Sequence, residues 1–239
     1  ASFKKWIEPT LDVLPILAKR CEERGIDFGC SAFCLDALDA VDPYVKWHKV
    51  ASIEAGWPLF VQAVARKAKP MVISTGGMDR ANGLGLLLGI KWSGVMPKDV
   101  VWLQCGLSYP CPIEESDLRT LTGHGHMSLP DAVESFDVGL SDHTTHPTIA
   151  PCAAVALGSS VIEKHIRLGA ERSFPLGVDY EQIGPTPDLG HSISPSQFRE
   201  MVEAIRLTEK ALGSSEKRIR ESERGYLRFR RGPRGLRGA

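Results

Sequence analysis

Short apolar runs alternate with helix-like stretches along most of this 239-residue chain. Six of the runs are apolar nearly throughout, which is typical of strands that are buried on both faces of a sheet. We predict strands over residues 26–33, 47–52, 71–75, 100–106, 136–141 and 161–168. Because helical patterns follow most of these runs, the chain is expected to be built from βαβ units.

The predicted helices cover residues 11–24, 35–41, 59–68, 82–90, 148–157 and 195–212. The last helix has the clearest boundaries. Ser194 and Gln197 have the spacing of a capping box, and Pro195 stands at the first helical position. Gly213 follows as a suitable residue to end the helix.

Apolar strands that are each followed by a helix indicate a parallel sheet covered on both faces. Two folds fit, a (β/α)₈ barrel and an open doubly wound sheet. The glycine fingerprint of dinucleotide-binding open sheets follows none of the predicted strands. Polar residues at the carboxyl ends of the strands favour the barrel, whose active sites lie at that face. We therefore predict an α/β protein with an incomplete (β/α)₈ TIM-type barrel, with about six of eight strands recognisable.

Composition divides the chain into a predicted partial barrel domain, residues 1–213, and an Arg/Gly-rich tail or linker, residues 214–239. The tail carries eight arginines and few apolar residues. It has the composition of a solvated linker or an altered terminus, and an RNA-binding tail is the alternative.

Charge and cysteine content indicate which partners and which cellular location to expect. Lys+Arg and Asp+Glu are equal at 29 each, so neither a nucleic-acid partner nor a membrane partner is expected. None of the apolar runs approaches the roughly 20 residues that span a bilayer. The six cysteines form no CxxC pair and several lie in apolar stretches, so buried thiols and a cytoplasmic location are expected.

Histidines and carboxylates end the fifth and sixth predicted strands. Alternation along a strand sends Ser141 and His143 to one face, and Glu163 and His165 to one face. If the strands are neighbours, two imidazoles converge at the mouth of the barrel, where they could hold Mn²⁺ or Zn²⁺. Alternatively, each histidine only makes hydrogen bonds near a strand end.

Hydroxyl groups and one lysine end the earlier strands. Ser31, Lys49, Ser52 and Ser74 could cradle a phosphate or carboxylate together with the backbone N–H groups of Gly76 and Gly77, or act only as caps and turns. Lys49 and Ser52 are three positions apart, so on a regular strand their side chains would point to opposite faces. Ser52 is therefore expected to lie beyond the strand. Glu54 is the nearest candidate acid or base, and a surface carboxylate is its simpler interpretation.

These segments resemble the N-acetylneuraminate (sialic acid) synthase family, in order over residues 6–213. The most specific motifs are Ser141-Asp142-His143-Thr144 and Glu163-Lys164-His165. The other matching segments are residues 30–33, 49–54, 69–76, 104–105, 109–112, 153–158, 187–188 and 192–195.

The resemblance implies condensation of phosphoenolpyruvate with an N-acylhexosamine, of the N-acetylmannosamine type, and release of phosphate. It implies that His143 and His165 bind a divalent metal, Mn²⁺ in most members, with Glu163 supporting the metal site. The remaining roles that it implies are phosphoenolpyruvate binding by Lys49, Ser31, Ser52, Ser74, Ser141 and Tyr109, proton transfer by Glu54, and sugar binding by Asp188. It also implies a homodimer for full-length members.

Several positions depart from the family pattern. Leu107 stands where the family often has a polar residue, and Leu189 replaces a histidine that usually follows Asp188. Residues 170–183 form a longer insertion, and two earlier strands and a small C-terminal domain of the family have no counterpart in the chain. Two alternatives therefore stay open: an inactive fragment or pseudoenzyme that binds phosphate or sugar ligands, and a metal-dependent pyruvate aldolase.

Overall fold

A six-stranded parallel sheet forms the centre of the computed structural model, which describes residues 11–92, 100–122, 137–167 and 187–231. The strands are β1 (Gly29–Ser31), β2 (Trp47–Val50), β3 (Met71–Ser74), β4 (Val100–Cys105), β5 (Asp137–Asp142) and β6 (Val161–Lys164). They pair in chain order from β1 to β6. A doubly wound sheet reverses its strand order at a switch point. The uninterrupted order therefore confirms the predicted incomplete (β/α)₈ barrel.

Helices connect and cover the strands: α1 (Leu14–Glu23), α2 (Leu35–Val41), α3 (Ser52–Ala55), α4 (Pro58–Arg66), α5 (Arg80–Trp92), α6 (Ile149–Ala156), α7 (Pro195–Leu212) and α8 (Glu221–Arg224). Pro15 lies in the first turn of α1, where its missing N–H is tolerated. The capping box at the start of α7 is present, with the Ser194 hydroxyl accepting from the Gln197 backbone N–H.

The first and last strands are shorter than predicted. The N–H of Ile26 donates to the carbonyl of Cys21 at the end of α1, so this residue belongs to the helix terminus and not to β1. After Lys164 the chain leaves β5, and Ile166 pairs instead with Ile193. His165 is therefore positioned by the segment that follows β6 rather than by the strand.

The main core lies between β1–β4 and the helices α1–α5. Its largest fully buried members include Phe60, Met71, Leu87 and Trp102. A smaller cluster around Leu140 packs α6 against β5. Burial of these apolar side chains stabilises the sheet and brings the carboxyl ends of all six strands to one edge.

The chain beyond Gly213 is exposed from Ser214 to Arg231 and includes the short helix α8. The division at residue 213 and the function of the tail stay predictions. Residues 232–239 and the insertion 170–183 lie outside the described residues. None of the helices described is both long enough and apolar enough to cross a membrane.

Candidate active site

A cleft of about 420 Å³ lies at the carboxyl ends of the strands. Ten of the eleven residues predicted for the site line it: Ser31, Lys49, Ser52, Glu54, Ser74, Tyr109, Ser141, His143, Glu163 and His165. The eleventh, Asp188, lies beside His165. The register of parallel strands thus brings together residues that are far apart in sequence.

Lys49 provides a buried cation in the cleft. Its ammonium group donates to the hydroxyl of Ser74 at 2.7 Å and to the carbonyl of Val50 at 3.0 Å. Burial lowers the pKa of Lys49, while the charge of Glu163, whose carboxylate lies 3.7 Å away, opposes that shift. The ammonium is therefore held in a fixed position and is poorly solvated, which favours an anionic ligand.

Ser52 begins α3, just beyond β2, as its parity predicts. Its hydroxyl accepts a hydrogen bond of 3.0 Å from the backbone N–H of Gly76. A Cβ atom on Gly76 would lie 2.9 Å from that hydroxyl and 3.2 Å from the carbonyl oxygen of Cys105. Glycine is therefore needed for the close approach of the two loops.

Glu54 follows Ser52 on α3 and lines the same cleft. Its Oε2 atom is buried and has no hydrogen-bond partner among the described residues. A buried, unpaired carboxylate oxygen is costly unless a ligand or a proton satisfies it. This placement suits an acid or base better than a surface carboxylate.

His143 follows β5, and its ring is held in one orientation. Nδ1 lies 2.7 Å from the carbonyl oxygen of Gly106, so Nδ1 carries the proton and donates it. Nε2 faces the Ser141 hydroxyl at 3.5 Å. Burial lowers the pKa of His143, although the Gly106 hydrogen bond opposes the shift. The neutral ring therefore presents the lone pair of Nε2.

His165 lies next to His143, with 5.2 Å between the ring centroids. Its Nδ1 is 3.3 Å from the Oδ2 atom of Asp188. The ring of Tyr109 covers His143 at a centroid distance of 4.2 Å, and partial burial raises the pKa of the phenol. The histidine pair predicted from two strand ends is thus assembled under one aromatic ring.

The role of Glu163 in supporting the metal site stays a prediction. The resemblance implies that this carboxylate supports the metal histidines, but its contacts are with the Lys49 ammonium and, at 3.5 Å, the Ser74 hydroxyl. The cause is register, since Glu163 pairs with Ser141 at the strand level, whereas His165 lies one step beyond β6. Glu163 therefore contacts the lysine and the serine of the cleft directly.

A buried ion pair beneath the histidines was not predicted. The ammonium of Lys164 lies 2.8 Å from Asp142 Oδ2 and also donates to the carbonyl of Thr144. Both charged side chains are at most 1% exposed. They occupy paired positions of β5 and β6, directly before His143 and His165, and so fix the two strand ends. The sequence does contain a signal for this pair, because residues of opposite charge, Asp142 and Lys164, directly precede the two histidines.

His191 is a further residue that was not predicted. Its side chain is buried, and its ring centroid lies 4.5 Å from that of His165 and 5.7 Å from that of His143. The residue follows a 3-10 helix, Pro187–Gly190, where strand periodicity gives no indication of position.

The side chains of the cleft fit a divalent transition-metal ion. Each histidine of the His143–His165 pair has its Nδ1 next to an oxygen atom, a carbonyl for His143 and a carboxylate for His165. The Gly106 carbonyl orients the His143 ring in this way and leaves its Nε2 atom for the ion. Imidazole and carboxylate groups suit Mn²⁺, Co²⁺ and Zn²⁺.

The sequence was compared with protein families and with individual known proteins. The sequence matches the NeuB family over residues 2–217. Pseudaminic acid synthase of Campylobacter jejuni is 34% identical over 179 residues, 75% of this chain and 46% of that relative. Spore coat polysaccharide biosynthesis protein SpsE of Bacillus subtilis is 32% identical over 211 residues, 87% of this chain and 49% of that relative.

Among solved structures, N-acetylneuraminic acid (sialic acid) synthetase from Leptospira borgpetersenii has a TM-score of 0.76 at 22% identity, over 95% of this chain and 72% of that chain. This likeness shows a shared fold. The chain spans about half the length of the curated relatives it matches.

Proposed function

The chain belongs to the NeuB family, and from this premise we propose that it is a sugar-acid synthase that uses phosphoenolpyruvate. The second substrate is an N-acylhexosamine of the N-acetylmannosamine type, the product is a nonulosonic acid, and phosphate is released. Two relatives with synthase names support the choice of reaction. The observation that carries the proposal is the presence of the buried Lys49 ammonium and a pair of histidines in the same cleft.

In this proposal, Lys49 binds the anionic groups of phosphoenolpyruvate. The Ser74 hydroxyl, at the end of β3, lies close to Lys49. The Gly76 N–H, in the loop after β3, lies close to Ser52. A ligand anion would take the place of Glu163 as the partner of the ammonium, because that carboxylate is 3.7 Å away and accepts no short hydrogen bond from it. Ser31, Ser52, Ser141 and Tyr109 complete the proposed cradle.

His143 and His165 are the proposed ligands of a divalent ion, Mn²⁺ in our proposal. When bound, such an ion supplies Lewis-acid polarisation of a carbonyl oxygen. The carbonyl of Gly106 keeps the Nε2 atom of His143 unprotonated, and the rings orient the sugar aldehyde towards the cradle.

The proposed bond changes balance as follows. C3 of phosphoenolpyruvate forms a bond with the aldehyde carbon, whose oxygen gains a proton. Water then adds at C2 and loses one proton. The bond between C2 and the phosphate oxygen breaks, the remaining hydroxyl loses its proton to form the keto group, and phosphate leaves. Glu54 is assigned to proton transfer because its buried Oε2 lacks a hydrogen-bond partner among the described residues.

The proposal also includes a cytoplasmic location and a homodimeric assembly. All six cysteines are free thiols, which suits a reducing compartment. Size-exclusion chromatography with light scattering measures the assembly directly.

The experiment is an assay of phosphate and of the nonulosonic acid, by mass spectrometry, with Mn²⁺ and then with EDTA. We expect both products only when phosphoenolpyruvate, N-acetylmannosamine and Mn²⁺ are present together. A condensation product formed from pyruvate would support the aldolase alternative. Failure to form either product would contradict the proposal for this chain and support a binding protein without turnover.

A further inference from the structure

His191 is a buried imidazole that the proposed reaction leaves without a role. Its side chain is 2% exposed, and neither ring nitrogen has a hydrogen-bond partner among the residues that the structure describes. A buried polar group without a partner destabilises the folded state unless a ligand satisfies it. The orphaned nitrogens of His191 therefore indicate a ligand at this position.

The backbone holds His191 beside His165. The N–H of Ile193 donates to the carbonyl of His165, and the N–H of Arg167 donates to the carbonyl of Ile193. The hydroxyl of Ser192 donates to the carbonyl of Asp188 at 2.6 Å, which tightens the turn between Asp188 and His191. These bonds fix three potential ligands from two separate segments against one another.

The donor atoms are spaced as ligands of one ion. Asp188 Oδ2 lies 3.3 Å from His165 Nδ1, and Asp188 Oδ1 lies 3.6 Å from His191 Nε2. One ligand atom from each of the three residues lies within 4.8 Å of the other two. Ligands at about 2.0–2.2 Å from a tetrahedral or octahedral ion are roughly 3–3.5 Å apart. The two measured separations are close to that value.

A purely electrostatic explanation accounts less well for the cluster. Asp188 would form ion pairs with His165 and His191 only if the rings were protonated, and neither nitrogen of His191 has a hydrogen-bond partner among the described residues. The distance of 3.6 Å between Asp188 and His191 is also too long for a hydrogen bond. A neutral imidazole with a free lone pair is instead the form that binds a metal ion.

We propose that His165, Asp188 and His191 form a three-residue site for a divalent transition-metal ion, with His191 as a direct ligand. Two imidazoles and one carboxylate are a known ligand set for Mn²⁺, Fe²⁺, Co²⁺ and Zn²⁺ that leaves positions open for substrate. This inference rests on the proposed function only in that both place an ion in the same cleft. In this inference Asp188 and His191 share the ion with His165, and Asp188 is assigned to the ion.

The test measures metal binding without any substrate. Mn²⁺ binding is followed by electron paramagnetic resonance, and Co²⁺ binding by its visible absorption, which reports the number and kind of ligands. We expect His191→Leu to weaken binding of both ions by at least about tenfold and to change the Co²⁺ spectrum, because even indirect partners of a metal contribute tenfold or more. His48→Leu is the matched control, since His48 is also buried but contacts Asp42 and does not line the cleft.

A second variant keeps the proposal testable if His191→Leu does not fold. The side chain of Asp188 is 55% exposed, so the Asp188→Asn variant should fold normally. It should also weaken the binding of Mn²⁺ and of Co²⁺ by at least about tenfold. Wild-type affinity and an unchanged Co²⁺ spectrum in either folded variant would overturn the proposal. Metal binding that depends on His191 without phosphate release would leave this inference standing while refuting the synthase reaction.

Discussion

The buried pair of Asp142 and Lys164 offers a direct test of how the site is held in place. We consider Lys164→Met, which keeps the length of the side chain but removes its charge. The ammonium now donates to Asp142 Oδ2 at 2.8 Å and to the carbonyl of Thr144, and neither charged side chain is more than 1% exposed. The substitution leaves both acceptors unpaired and one charge buried alone.

The expected loss follows from those contacts. An unsatisfied buried acceptor costs about 1–3 kcal/mol, and breaking a buried ion pair costs about 3–5 kcal/mol. We therefore expect Lys164→Met to lower the free energy of unfolding by about 3–5 kcal/mol. Asp142 would still accept from the Thr144 N–H at 2.9 Å, so the loss should not exceed this range.

Urea denaturation followed by circular dichroism measures the change. Lys67→Met is the control, because Lys67 pairs with Asp39 at 2.6 Å, but that aspartate side chain is 73% exposed. An exposed pair contributes about 0–1 kcal/mol. The double variant Asp142→Asn with Lys164→Met should recover part of the loss, since it removes the stranded charge. Equal losses in Lys164→Met and Lys67→Met would refute the reasoning.

Three further predictions concern the cradle, a close approach and pH. Lys49→Ala should weaken phosphoenolpyruvate binding by at least about tenfold in calorimetry while Mn²⁺ affinity is retained, since the anion would lose its proposed pairing with the ammonium. Gly76→Ala should lower the free energy of unfolding by about 1–3 kcal/mol in urea, because its Cβ would meet Ser52. Stability should fall from pH 7.5 to pH 5.5 in the same assay, because burial lowers the pKa of His48 and His143 below the ordinary 6.5.

The sign of the pH effect is fixed by proton uptake. The unfolded chain binds protons as the pH falls below 6.5, whereas the buried rings resist them until the lower folded-state pKa is reached. Stability is thus retained above pH 6.5 and lost below it. Greater stability at pH 5.5 than at pH 7.5 would contradict this account.

The predictions for Lys49→Ala and Gly76→Ala each have a control variant that distinguishes a specific effect from a general loss of structure. Lys69→Ala removes an ammonium that pairs with Asp42 outside the cleft, and should leave phosphoenolpyruvate affinity unchanged. Gly85→Ala places a Cβ in open space on α5 and should stabilise the helix by about 0.5–1 kcal/mol. Equal affinity in the two lysine variants, or equal stability in the two glycine variants, would count against the proposed cradle geometry.

Periodicity and strand-end chemistry predicted the sheet and most residues of the cleft. Lys49 and Ser74 meet because parallel strands in sequential order align their carboxyl ends, which a sequence can indicate. The role of Glu163 could not be read in this way, because it depends on register between β5 and β6. The position of His191 was not predicted for a different reason. A turn determines it, and turns have no periodic pattern of apolar residues.

The central claim, that this chain joins phosphoenolpyruvate to a sugar aldehyde, is tested most directly by the oxygen atoms of the phosphate that it releases. The reaction is run in ¹⁸O-labelled water with phosphoenolpyruvate, N-acetylmannosamine and Mn²⁺, and the phosphate is examined by mass spectrometry. Because water adds at C2 in the proposed reaction, we expect unlabelled phosphate whose release requires the sugar. Labelled phosphate released without the sugar would mean that water attacks phosphorus, and would contradict the account.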